Sequence, residues 1–481
     1  MAFVAFCAVA LWVYCDLWPK WVDYRTRKYL RDPNATWTQR LQAVNAWVKR
    51  REDAVPELID ALADENPSVE QIGPPALPTV IEVKAHPNPL VRKQAIEILG
   101  QIGTGDATAV SALREVLKND SDEALREQAL DQLMRIISFD LAELIDLLQD
   151  KNRTIRRWAF YRLSEFGPEA QSEIPRLIRA LSDEDSGVRH AAARTLEKIG
   201  PEAKAAVPEL LKALKENQWL AAAAADALAR IGPEAKPAVP ILSELLKQKR
   251  PENHWLPYSA ARALREISPE DARAQVPRLV EWLGDEDIQV RRNAAWALQG
   301  IGPEAKEAMP ALIEALDDKD STVISCAARA MGEIGPDAVP AVPKLIWMLG
   351  DVTAWHGAIE ALGGIGPKAK QALPELSSML LDWDPSRPDR SEIIIKAIGR
   401  IDPDGSESIP LLTDVLEDRS WPDAVRCAAI DTLGDIGHGK ERVTRALLRA
   451  TTAPWPAVRT RAEKVLRRLD PEAARQALDR R

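Results

Sequence analysis

The chain writes nearly the same ten residues three times: IGPEAKAAVP at 199–208, IGPEAKPAVP at 231–240 and IGPEAKEAMP at 301–310. Taking the first residue of each phrase as a mark, comparable positions recur at Ile72, Ile102, Ile136, Phe166, Ile199, Ile231, Ile267, Ile301, Ile334, Ile365, Ile401, Ile436 and Leu469. Those are twelve intervals over 397 residues, a mean of about 33. A period of that length is the signature of an array of stacked units and not of several copies of an active site.

Residues 174–199, IPRLIRALSDEDSGVRHAAARTLEKI, show what one unit contains. Ile174, Leu177, Ile178 and Leu181 fall at helical spacing. SDEDSG then supplies capping and turn residues. Val188, Ala191, Ala192, Thr195, Leu196 and Ile199 share one face of a second helix. Neither helix can bury its apolar stripe alone, so the units must stack. The recurring phrase is the joint between units. Gly200 suits the left-handed residue that ends a helix, and Pro201 suits the first position of the helix that follows. Ten of the thirteen marks have a proline two residues on, the exceptions being Thr104, Ser138 and His438.

An acidic turn, then V-R, A-A and A-L-x-x-I-G, appears as DEDSGVRHAAARTLEKIG (183–200) and DEDIQVRRNAAWALQGIG (285–302), and in shorter form as DAVRCAAIDTLGDIG (423–437). This pattern resembles the HEAT repeat in its short, phycobilin-lyase-like form, over roughly residues 37–481. The resemblance implies an all-α fold, a right-handed superhelical solenoid of about thirteen HEAT-like helical hairpins. The V-R arginines Arg92, Arg189, Arg291, Arg426 and Arg459 are expected to pair with turn aspartates of the same or the adjacent unit. In DENPSVEQIGPP (64–75) only SVEQ separates turn from mark, so that unit has lost most of its second helix.

Residues 1–19 differ from the array. Ala2 to Cys15 are uncharged and mostly apolar, Asp16 interrupts, and a basic segment over 20–36 follows. Fourteen residues are short for a membrane span, which wants about 20. Three readings are open: a short membrane anchor through residues 2–18, a helix docked on the first repeat, and a signal peptide. The basic flank places the array on the cytoplasmic side if the segment is an anchor. The alternative is a soluble cytoplasmic or exported chain. Cys7, Cys15, Cys326 and Cys427 show no C-x-x-C spacing, which argues for a reducing compartment.

The net charge of −9 is uneven. Residues 1–51 carry +6 and residues 440–481 carry +7, leaving −22 on residues 52–439. An acidic body is not built to hold nucleic acid. GDIGHGKE (434–441) has Glu441 where a phosphate loop needs Ser or Thr, and it follows a helix instead of a strand. Enzymes of this repeat class include phycobilin lyases and deoxyhypusine hydroxylase, whose iron is held by His-Glu pairs. None of His86, His190, His254, His356 and His438 is followed by Glu. No catalytic, metal or cofactor residue is therefore assigned, and the expected cofactor is none.

The expected function is a non-catalytic protein–protein interaction scaffold, tethered to a membrane. A lyase or oxidoreductase accessory enzyme is the alternative. HEAT-like arrays bind along the concave face, lined by the second helices. There the chain offers Arg189, His190, Tyr258, Arg291, Arg292, Trp296, Trp355 and His356 to a protein partner of mixed charge. A second candidate surface is a ridge of turn tryptophans, Trp219, Trp255, Trp383, Trp421 and Trp455.

Overall fold

A computed structural model describes residues 89–478 except 103–105, 250, 352–353 and 383–387, together with Ile81 and Lys84. Residues 1–19 and 20–36, the shortened unit at 64–75 and Trp383 lie outside the described residues. Every described element is a helix, and no strand occurs among them. No helix among the described residues is long and apolar enough to cross a membrane. The chain divides into two compact units, Met1–Arg162 and Leu163–Arg481.

The first unit contains α1 (Pro89–Ile102), α2 (Ala107–Asn119), α3 (Glu123–Ile136), α4 (Leu141–Leu147) and α5 (Arg153–Leu163), which reaches the boundary. Each start is written in the sequence. Asp106 accepts the N–H groups of Thr108 and Ala109 at 2.7 and 3.2 Å, and Asp140 with Glu143 forms a reciprocal cap on α4. Leu113, Leu117, Leu130 and Leu133 are buried between α2 and α3.

The second unit pairs a first with a second helix repeatedly: α6 (Ile174–Ala180) and α7 (Ser186–Ile199), α8 (Val207–Ala213) and α9 (Gln218–Ile231), α10 (Val239–Leu245) and α11 (Leu256–Ile267), α12 (Pro269–Leu283) and α13 (Ile288–Ile301). The pattern continues through α14 (Met309–Ala315) and α15 (Ser321–Ile334), α16 (Val342–Met348) and α17 (Trp355–Ile365), α18 (Leu373–Leu381) and α19 (Pro388–Ile401). It ends with α20 (Ser408–Glu417) and α21 (Asp423–Ile436), α22 (Glu441–Ala450) and α23 (Pro456–Leu469), and α24 (Pro471–Leu478). Every second helix ends at a mark, and successive second helices pack on one another.

The turns explain the acidic signature. In Asp-x-Asp the first carboxylate accepts the N–H two residues on, as Asp183 does from Asp185 at 2.9 Å and Asp318 from Asp320 at 2.8 Å. The second caps the next helix, as Asp185 does for Val188 at 3.0 Å and Asp320 for Val323 at 3.1 Å. The first carboxylate then also receives the V-R arginine of the preceding unit. Arg92 holds Asp120 at 2.8 and 3.0 Å, and Arg291 holds Asp318 at 2.7 and 3.0 Å. Arg189 instead donates to the carbonyls of Asp183 and Glu184 at 2.7 and 3.2 Å and faces Glu216 at 3.7 Å. Arg459 donates to the Ala453 carbonyl at 2.8 Å. Arg426 bonds Asp423 at 2.5 Å and lies 3.7 Å from the ring centroid of Trp455, which takes the place of the next unit's acid.

The joints correct one expectation. Gly200, Gly232 and Gly302 have positive φ of 80°, 76° and 63°, but their ψ values of −137°, −141° and −129° lie outside the left-handed helical region. This is the mirror image of extended backbone. The reason is the following proline, whose ring disfavours a helical residue before it. The joint itself is a short 3-10 helix, Gly200–Ala206 in the first instance. Where the mark is followed by Ser268, no such joint forms, and Pro269–Leu283 runs as one helix with Pro277 inside it. A Cβ built at Gly232 would meet no atom within 4 Å. The Cβ of Gly232→Val therefore has room, and the expected cost is set by backbone strain, about 2 kcal/mol. Chemical denaturation of the variant should show that loss, and an unchanged midpoint would show that the joint relaxes freely.

Candidate functional site

The second-helix face of the Leu163–Arg481 unit carries a groove of about 760 Å³. One wall is aromatic. Trp255, at the start of α11, lies parallel to Trp296 of α13, with centroids 5.4 Å apart and planes 8° apart. Tyr258 meets the edge of Trp255 at 6.4 Å, and His254 meets Trp296 at 5.8 Å. The opposite end is charged: Arg329 of α15, Glu360 of α17 and Arg400 of α19. Between them the floor is glycine. A Cβ at Gly364 would lie 2.4 Å from the Gly332 carbonyl oxygen and 2.6 Å from its Cα, so α15 and α17 touch backbone to backbone.

Cys326 forms part of the base and is 2% exposed. Burial pushes its thiol up to about 12, against the smaller opposing effects of Arg329 and the Trp296 side chain. At about pH 8 the native protein should leave Cys326 unmodified by iodoacetamide, whereas the denatured protein is modified there. Peptide mass mapping reads the difference, and native labelling would show that the groove floor opens.

Aligning the second helices by their marks reveals an order in the residue five places before each mark. It is Arg194 on α7, Asp226 on α9, Arg262 on α11, Trp296 on α13, Arg329 on α15 and Glu360 on α17. Lys396, Asp431 and Lys464 continue it on α19, α21 and α23. Charge alternates at every rung except Trp296, which stands where an acid is due. Two pairs of neighbouring rungs are joined directly: Arg262 to Asp226 at 3.5 Å and Arg329 to Glu360 at 2.7 Å. Burial raises the pKa of the Asp226 carboxyl, outweighing the opposing pull of Arg262.

The residues anticipated from the sequence separate into distinct groups. Tyr258 and Trp296 line the groove. Arg291 and Arg292 lie on α13 but are spent on Asp318 and Asp320, with Arg292 holding Asp320 at 2.6 and 2.8 Å. Arg189 is likewise engaged at the turn, while His190 is exposed. Partial desolvation by the surrounding protein, then the charge of Arg194, lowers the His190 pKa. Trp355 lies beneath Arg390, its centroid 5.4 Å from the guanidinium carbon, and beside His356 at 5.5 Å.

The turn tryptophans do not present a common surface. Trp219 and Trp255 are 64% and 59% exposed, but Trp421 is only 7% exposed. Trp455 is half-buried against Arg426 and Arg419. Trp255 faces the groove and not a separate ridge. Sequence reasoning missed Arg329, Glu360 and Arg400, and also Trp347 on the first helix α16, which is 74% exposed. Comparing the same register in each unit would have found the first two.

Comparison with known proteins bears on the fold. The sequence pattern of the family described as HEAT repeats matches residues 68–134, 141–217, 276–355 and 373–467, together more than half the chain. No curated protein matches. Among solved structures, yeast importin-beta (Kap95p) is 14% identical with a TM-score of 0.50, over 96% of this chain and 75% of that one. A Kap95:Nup1 complex is 13% identical with a TM-score of 0.49, over 100% and 76%. At that identity the likeness concerns the fold alone.

Proposed function

This chain belongs to the HEAT-repeat family, and from that premise we propose that it is a non-catalytic scaffold that binds a protein partner along its second-helix face. The observation that carries the reading is the groove itself, with an aromatic wall, a bare glycine floor and a charged end. Aromatic and arginine side chains concentrate binding energy at protein interfaces. Such a groove matches an extended or helical protein segment, because its polar groups are spread along a wall instead of converging on one reacting point.

The test is affinity capture from native extract with the full chain and with the Tyr258→Ala, Trp296→Ala double variant. The variant should lose partners that the parent retains while keeping its helical circular dichroism. Retention of every partner would move the binding surface elsewhere. Arg291 and Arg292 are unsuited to this test, because replacing them would break the ion pairs that tie α13 to the next turn.

Attachment to a membrane through residues 2–18 is a separate part of the proposal. It is supported by the apolar run and the basic residues over 20–36. On that reading residues 37–481 form the repeat array. Removal of residues 1–19 should shift the protein from the membrane to the supernatant fraction. An enzymatic role as an accessory lyase or oxidoreductase has only the short-repeat signature in its favour.

A further inference from the structure

The alternation of charge along the second helices has one gap, and the groove lies at that gap. On either side of Trp296 stand Arg262 and Arg329. Arg262 faces two carboxylates, Asp226 at 3.5 Å and Glu197 at 3.6 Å. Arg329 holds only Glu360, and its side chain remains 37% exposed. Arg400 lines the same groove, is exposed, and makes no ion pair with the described residues. The end of the groove beyond the aromatic wall thus holds two accessible guanidinium groups and two carboxylates, Glu360 held by Arg329 and Glu333 facing Arg265 at 3.9 Å.

We propose that the missing acid is supplied by the partner: a protein segment that lays an aromatic or proline ring on the Trp255–Tyr258–Trp296 wall and places an adjacent Asp or Glu carboxylate on Arg329 and Arg400. The inference rests on the protein-binding reading above and adds the chemistry of the bound segment. The charges decide the sign of the ligand. A basic side chain at this place would meet Arg329 and Arg400, whereas a carboxylate gives Arg329 the second acid that Arg262 already has in Asp226 and Glu197. Gly332 and Gly364 put bare backbone on the groove lining between α15 and α17. The ring supplies contact area beside the charge.

The experiment uses the full chain and three fluorescein-labelled dodecapeptides with a central Pro-Phe-Glu-Glu, Pro-Phe-Gln-Gln or Pro-Phe-Lys-Lys, read by fluorescence anisotropy at low and physiological salt. The glutamate peptide should bind about tenfold tighter than either other peptide, with a preference that shrinks as salt rises. The variant Trp296→Glu places an acid at the empty rung and should abolish that preference while the helical signal is kept. The double variant Arg329→Gln, Arg400→Gln removes the preference without touching the aromatic wall, so the test survives if Trp296→Glu fails to fold.

Equal or tighter binding of the glutamine or lysine peptide would overturn the carboxylate assignment and leave the protein-binding reading intact. Failure of all three peptides to saturate at about millimolar concentration would also overturn the assignment. The capture experiment with the Tyr258→Ala, Trp296→Ala variant would then decide separately whether the groove binds protein at all.

Discussion

Gly364→Ala should cost roughly 3 kcal/mol, near the upper end of what one added methyl does in a packed core. The new Cβ would meet the Gly332 oxygen, Cα and carbonyl carbon at 2.4, 2.6 and 2.7 Å. All three are backbone atoms, so no side chain can turn away, and α15 and α17 must separate. At the neighbouring Gly363 a Cβ would lie 3.2 Å from the Ala397 Cα and 3.3 Å from its Cβ, a contact that a few tenths of an ångström relieves. Gly363→Ala should therefore be several-fold milder. Urea unfolding of the two variants checks the pair, followed by circular dichroism. Because neighbouring repeats unfold as coupled units, the first transition is the one to compare. Equal midpoints would mean that the two helices have room to part.

Asp402→Ala should cost about 3 kcal/mol for a different reason. This mark is followed by Asp-Pro instead of Gly-Pro, and the carboxylate does the joining. Asp402 is 1% exposed and accepts from the Glu407 N–H at 2.9 Å, the Ser408 N–H and hydroxyl at 2.8 Å, and the Ser406 hydroxyl at 3.2 Å. Alanine would leave those donors without an acceptor inside the protein. Burial alone would raise this pKa, but the donated hydrogen bonds from Glu407 and Ser408 outweigh it and hold the carboxyl well below the ordinary range. With the folded value depressed, its contribution is fully present above the unfolded pKa of about 4. It is lost as the pH falls from there toward the folded value. The difference between parent and variant should narrow steadily as the pH falls below about 4, and a constant difference across that range would refute the assignment.

The period, the two-helix unit and the proline-bounded joint were legible in the sequence, and the expected pairing of the V-R arginines with turn aspartates holds for Arg92, Arg291 and Arg426 but not for Arg189 and Arg459, which bond turn carbonyls. Each depends on residues a few positions apart or exactly one unit away. The sign of φ at the joint glycines followed from the same reasoning, whereas ψ did not, because the proline after the glycine overrides the usual helix ending. Trp219 and Trp421 occupy comparable turns, yet one is exposed and the other buried. That outcome depends on what the adjoining unit packs against the turn, which no local pattern encodes. Arg291 and Arg292 stood out as basic residues on the right helix. Only their bonds to Asp318 and Asp320 show that they are structural. The alternating rungs are visible in the sequence only when units are superposed on their marks, since no single unit contains more than one of them.

The two edges of the second unit are fastened differently. At the turns, Arg291 and Arg292 bond across to the next unit at 2.6 to 3.0 Å, and bonds of that kind have direction and little travel. At the joints Ala203, Ala235, Ala305, Ala338 and Ala369 are buried, methyl groups that slide on one another without a preferred angle, and the polar links across this edge are long side chains, such as Lys370 Nζ on the Ser406 hydroxyl at 3.1 Å and Lys368 Nζ on the Pro336 carbonyl at 3.4 Å. Flexing of this unit is accordingly expected to pivot on the turns while the joint edge fans open or closed, as a leaf spring clamped along one side does, and the joint that Asp402 pins with its carboxylate should move least.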